Sequence, residues 1–207
     1  FFAEREAAKV DLPAGVKPRK IASAAIIGAG TMGGGIAMSF ANAGIPVTLI
    51  ETGEEQLKRG MGVMQKNYEA TAARGGIPAD APAKRMGLIT GVVGLENVRD
   101  ADLVIEAVFE TMAVKKEVFE ALDKHAKPGA VLASNTSYLN IDEIAKVTKR
   151  PQDVLGMHFF SPADKMPLVE IIRAEKTGDA CLAKSMDFVA RIGKTPIVVN
   201  DSRGFYT

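Results

Sequence analysis

From Ile21 onward, short apolar runs alternate with longer amphipathic ones. An apolar strand is expected at Ile21–Ile27, then a cluster of glycines, a small-residue helix at Gly34–Ala43 and a second apolar strand at Pro46–Ile50. Leu57, Met61, Met64 and Tyr68 follow at helical spacing and predict a long helix over Glu54–Arg74, its Met-rich stripe reading as core rather than as a ligand cradle. Gly75-Gly76-Ile77-Pro78 ends that helix, Pro82–Gly87 makes a short helical turn, and Leu88–Val93 is a strand stopping at Gly94. Leu103–Val108 is a largely apolar run, as in a strand buried on both faces. The alternation continues with helix Ala113–His125, strand Val131–Ser134, helix Ile141–Thr148, strands Val154–Phe160 and Leu168–Ile172, helix Asp179–Ile192 and strand Thr195–Val199. Strands alternating with helices imply right-handed crossovers, hence an α/β, doubly wound and mainly parallel sheet.

The first strand–turn–helix unit carries the strongest chemical signal. In Gly28-Ala29-Gly30-Thr31-Met32-Gly33, Gly28 permits a tight turn off the strand, Gly30 lets a pyrophosphate approach the backbone, and Gly33 allows the helix to pack closely. Free N–H groups near Thr31 and Met32 then face an anion with the helix dipole behind them. Glu51 closes the next strand 23 residues beyond Gly28, near the offset of roughly 20 at which a carboxylate grips an adenosine ribose hydroxyl. The same carboxylate would repel a 2′-phosphate. The expected cofactor is therefore NAD rather than NADP, on a Rossmann-like sheet.

Composition narrows the partners. A net charge of +1 gives no field to recruit nucleic acid or an acidic membrane surface, and no apolar run approaches the roughly 18 residues needed to span a bilayer. The single cysteine, Cys181, excludes an internal disulfide and fits a reducing compartment, cytoplasmic, or mitochondrial or peroxisomal in a eukaryote. Phe1–Lys9 could form a short helix, and Asp11 to Lys20 is a proline-punctuated basic connector. Residues 1–20 are expected to be a linker from an upstream domain, and 21–207 the NAD-binding domain.

In an open α/β sheet, ligands bind beyond the carboxyl ends of the strands. The residues there are Phe109 and Glu110 with Lys115 one helical turn on, then Asn135-Thr136-Ser137, then His158. A lone histidine in an apolar run is more often core. Here, however, Glu170 sits in the next apolar strand and needs a partner, because burying an unpaired carboxylate is costly. Such a pair fixes the imidazole tautomer and suits a general base near neutral pH. His125, beside Lys124 and Lys127, reads as complementing a helix dipole. Asn140 suits an N-cap, leaving Ser137 open to a ligand.

Four blocks then carry a resemblance: GAGTMGGGIA (Gly28–Ala37), VIEAVFE with Lys115, SNTS (Ser134–Ser137) and GMHFFSPADKMPLVEII (Gly156–Ile172). From Ile21 onward the chain resembles the NAD-binding domain of the L-3-hydroxyacyl-CoA dehydrogenases of fatty-acid β-oxidation, most of all the dehydrogenase part of the multifunctional enzymes, in which an enoyl-CoA hydratase domain comes first. The resemblance implies an acyl-CoA substrate, His158 as general base, Glu170 as its orienting partner and Ser137 as a hydrogen-bond partner of the substrate oxygen. It also implies that Met32, Glu51, Val108, Phe109, Glu110 and Lys115 line the NAD site. Many members have Asn where this chain has Ser161. Members also follow the terminal Gly-Phe-x-x with an Asn–Arg pair and a helical domain that closes the acyl-CoA cleft, so a C-terminal helical domain is an expected partner.

Overall fold

The structure, a computed structural model, describes residues 20–202, 204 and 205. The helix expected at Phe1–Lys9 lies outside the described residues. In chain order the elements are β1 (Ala24–Ile27), α1 (Thr31–Asn42), β2 (Val47–Glu51), α2 (Glu54–Ala73), α3 (Ala81–Met86), β3 (Ile89–Val93), β4 (Leu103–Glu106), α4 (Met112–His125), β5 (Val131–Ser134), α5 (Ile141–Ala145), β6 (Val154–Phe159), β7 (Leu168–Arg173), α6 (Asp179–Arg191) and β8 (Thr195–Asn200). Two 3₁₀ turns, Leu95–Val98 and Pro151–Asp153, have no counterpart in the sequence reading.

Boundaries shift where backbone chemistry dictates. The first helix starts at Thr31, not Gly34, because extended Gly30 serves as its N-cap and its carbonyl already accepts from Gly34 N at 2.8 Å. Asn140 caps α5 as expected, its Oδ1 accepting from Glu143 N at 2.8 Å. That helix ends at Ala145 rather than Thr148, and the Thr148 hydroxyl donates to the Ala145 carbonyl at 3.0 Å.

The strands form one sheet in the order β3-β2-β1-β4-β5-β6-β7-β8. Every pairing is parallel except β6 with β7, which is antiparallel. Successive residues feed opposite faces. Ile26, Leu49, Ile105 and Met157 pack with α1, α2 and α6, while Ala25, Ile50, Val104 and Leu132 pack with α4 and α5. The Met-rich stripe is core: Met64 and Tyr68 are buried, with Leu57 and Met61 packed against them. Tyr68 donates to Met38 O, and its burial raises the phenol to about 12. Below the sheet, Asp102 ties down the entry to β1. It accepts from Ala22 N at 2.8 Å, Ser23 N at 3.0 Å and Lys127 Nζ at 2.6 Å.

Candidate functional site

The strand order reverses at β1, whose neighbours β2 and β4 carry the chain away in opposite directions. A crevice opens beyond the carboxyl ends of β1 and β4, where such sheets bind ligands. Two glycines make the turn possible there. Gly28 has φ +99°, and a Cβ on it would lie 2.7 Å from Ala107 O. A Cβ on Gly33 would collide with the Gly28 carbonyl, so α1 can approach β1 only with glycine at that position. Gly30 has nothing within 4 Å of where a Cβ would stand, which leaves space over the backbone. Open space at Gly30, the N-terminus of α1 and a carboxylate at the end of β2 fit a dinucleotide. Glu51 reaches back across the turn, Oε1 accepting from Ala29 N at 2.8 Å and Oε2 from Thr52 N at 2.9 Å.

The cleft has a volume of about 850 Å³. Gly28, Gly30, Thr31, Met32, Glu51, Val108, Phe109, Glu110, Asn135, Ser137 and His158 all line it. Gly33, Lys115 and Glu170 stand behind that lining. Lys115, expected in the cofactor site itself, is fully buried, its Nζ 2.8 Å from Glu106 Oε1 and 3.2 Å from Glu110 Oε2. Its influence on the cleft passes through Glu110. The Glu110 carboxylate accepts from the Thr136 hydroxyl and, at 2.8 Å, from Ser137 N. Burial pushes Glu110 upward, but Thr136, Ser137 N–H and Lys115 together outweigh it, and its carboxyl sits below the ordinary value. Glu106, which the sequence reading passed over, is fully buried and also accepts from Ser134 Oγ at 2.7 Å. Asn135 joins two strand ends: its N–H donates to Glu106 O at 2.8 Å and its Oδ1 accepts from Phe159 N at 2.9 Å.

His158 and Glu170 are direct cross-strand partners in the antiparallel register of β6 and β7. Nδ1 of His158 lies 2.7 Å from Glu170 Oε2, the carboxylate fully buried and the imidazole 12% exposed at the cleft. With Nδ1 engaged, Nε2 is the ring nitrogen left for a ligand. The Phe160 ring stands on the imidazole with centroids 4.6 Å apart, and Phe205 lies at 6.2 Å. Leu95, Val114 and Val118 add an apolar wall that the sequence reading did not name. The i, i+4 spacing of the two valines on α4 was its only signal. A second cavity of about 580 Å³ lies across the glycine turn, between α1, α2 and Pro162–Asp164.

Comparison with known proteins agrees with this geometry. The family model described as "3-hydroxyacyl-CoA dehydrogenase, NAD binding domain" matches residues 23–202. Over 210 residues the chain is 42% identical to a peroxisomal bifunctional enzyme of Danio rerio, covering 99% of this chain and 29% of that protein. It is 39% identical over 207 residues to the fatty acid oxidation complex subunit alpha of Shewanella amazonensis, covering 100% of this chain and again 29% of the relative. The chain thus spans under a third of these curated relatives. Among solved structures, M. tuberculosis FadB2 superposes with a TM-score of 0.89 at 39% identity, covering 91% of this chain and 67% of that one. The chain belongs to the NAD-binding domain family of the 3-hydroxyacyl-CoA dehydrogenases.

Proposed function

We propose that this domain serves the oxidation of (3S)-3-hydroxyacyl-CoA to 3-oxoacyl-CoA within a longer β-oxidation polypeptide. The observation that carries the reading is the buried Glu170 holding Nδ1 of His158 at 2.7 Å on the cleft that also contains the glycine turn. Thr31 and Met32 with the N-terminus of α1 hold the pyrophosphate, and Glu51 takes the adenosine ribose hydroxyls. Bound NAD supplies the hydride acceptor. His158 Nε2 removes the proton of the C3 hydroxyl, and the Glu170 carboxylate stabilises the imidazolium that forms. Ser137, set by the bond from its own N–H to Glu110, offers its hydroxyl to the substrate oxygen. The acyl-CoA needs a second wall, assigned to a helical domain of the longer polypeptide, with a hydratase unit upstream. No helix among the described residues is long and apolar enough to cross a membrane, and a cytoplasmic, mitochondrial or peroxisomal setting follows from the reading. The intact enzyme should oxidise NADH with acetoacetyl-CoA. Saturable NADH binding without turnover would reduce the domain to a binding module and overturn the proposal.

A further inference from the structure

Residues 160–167 join the strands that carry His158 and Glu170, and their first half borders both cavities. Ser161 lines the cofactor cleft, whereas Pro162, Ala163 and Asp164 line the second cavity. Within the segment, Lys165 N and Met166 N donate to Pro162 O at 3.0 and 2.9 Å. Two side chains from distant elements hold it from outside. Lys194, just before β8, donates from Nζ to Ala163 O at 2.8 Å and to Met166 O at 2.6 Å. Ser39, buried in α1, donates its hydroxyl to the same Ala163 carbonyl at 2.8 Å. One turn earlier, Gly35 lets the segment ride on the helix, since a Cβ there would stand 3.1 Å from Ala163 Cβ.

Lys194 is 9% exposed, and among the described residues no carboxylate pairs with it. Burial pulls its ammonium below the usual lysine range, with Asp164 acting against that. A buried cation without a counter-ion costs stability, and a methionine would fill the same space without that cost. What the ammonium supplies is direction: one point charge binding two carbonyls fixes the path of the backbone between them.

We propose that Lys194, seconded by Ser39, is a positioning residue for the His158 site. By clamping the carbonyls of Ala163 and Met166 it fixes the path of segment 160–167 along the cleft and holds Phe160 on the His158 ring. Freed from the clamp, Phe160 and Ser161 shift, and with them the imidazole. A misplacement near 1 Å at a reacting group costs on the order of 10²-fold in rate.

This inference rests on the dehydrogenase reading, and the test separates the two. In the intact enzyme, Lys194→Met and Ser39→Ala are compared with the parent by amide hydrogen exchange, by kcat for 3-hydroxybutyryl-CoA oxidation and by the NADH Kd. For Lys194→Met, exchange in 160–167 should rise at least about tenfold while α4 and β1 keep their protection. Its kcat should fall at least about tenfold, with the NADH Kd within about threefold, because the phosphate turn and Glu51 lie off the segment. Ser39→Ala should move both readouts the same way by a smaller factor, and it decides the matter if Lys194→Met does not fold. Exchange rising evenly along the chain would make Lys194 a stability residue and overturn the proposal, as would an unchanged kcat. A parent enzyme inactive on 3-hydroxybutyryl-CoA would instead overturn the dehydrogenase reading, and the exchange comparison would still decide whether the clamp exists.

Discussion

Replacing Glu170 by Gln keeps the shape of the buried side chain and removes its charge. In the proposed oxidation His158 would gain a proton, its ring passing from neutral to cationic beside a carboxylate whose Oε2 lies 2.7 Å from Nδ1. With charge centres about 4 Å apart and an effective dielectric near 20, a full charge is stabilised by roughly 4 kcal/mol. If about half that charge has developed at the transition state, the loss is about 2 kcal/mol, or roughly 30-fold in kcat. A glutamine can also turn its amide N–H towards Nδ1, and the wrong tautomer then has no base at Nε2. The expected fall therefore lies between about 30-fold and 10³-fold, smaller than that of His158→Gln. The assay is steady-state oxidation of (3S)-3-hydroxybutyryl-CoA by the intact enzyme, with NADH affinity measured separately by fluorescence titration. Affinity should stay within about threefold, because none of the groups assigned to the cofactor lies on β7 beside Glu170. A kcat within threefold of the parent would show that the carboxylate does not support the base.

Further outcomes follow from other parts of the site and fold. NADH should bind at least about tenfold tighter than NADPH, a gap of about 1.4 kcal/mol, and Glu51→Ala should narrow it by weakening NADH; equal affinities of the parent in titration calorimetry would refute the assignment. Gly33→Ala places a methyl against the Gly28 carbonyl, so urea unfolding should show a loss of about 1–3 kcal/mol, accompanied by weakened NADH binding. Burial pushes Asp102 upward, but Lys127 and the N–H groups of Ala22 and Ser23 prevail and hold it at about 2. A folded value below the unfolded one stabilises above about pH 4, and the gain disappears as the pH falls towards 2. After allowance for solvent screening it amounts to about 1 kcal/mol. Asp102→Asn should accordingly lower Tm by about 2–4 °C at pH 7, and thermal scans of parent and variant should converge near pH 2.

Much of this was legible in the sequence because the signals are local. The glycine turn, the strand before it, the helix after it and Glu51 fall within 28 consecutive positions, 24 to 51. Glu170 pointed to His158 because a carboxylate inside an apolar run demands a partner. The antiparallel pairing of β6 and β7 was also open to inference, since residues 160–167 are too few for a parallel crossover. What stayed hidden depends on contacts between distant positions. Ser39 and Ala163 are 124 positions apart, and Lys194 and Ala163 are 31 apart. Lys115 was singled out in the sequence, but its buried setting was not legible there. Only the folded chain shows the turn after β4 bringing it onto Glu106 and Glu110, inside the wall instead of on it.

The pairing of His158 with Glu170 bears on assembly as well as on chemistry. In the register of β6 and β7, this polar pair is flanked by Met157 opposite Ile171 and Phe159 opposite Val169. Side chains alternate between faces, so sliding one strand by a single residue turns its whole set over. Glu170 would then face Phe159 or Met157, and a carboxylate in apolar surroundings costs several kcal/mol. The flanking residues are too alike in character to reject such an alignment by themselves. While the hairpin zips, the acid and the imidazole act as an alignment mark, and a chain with both replaced by aliphatic residues would lose the penalty that keeps misaligned hairpins rare.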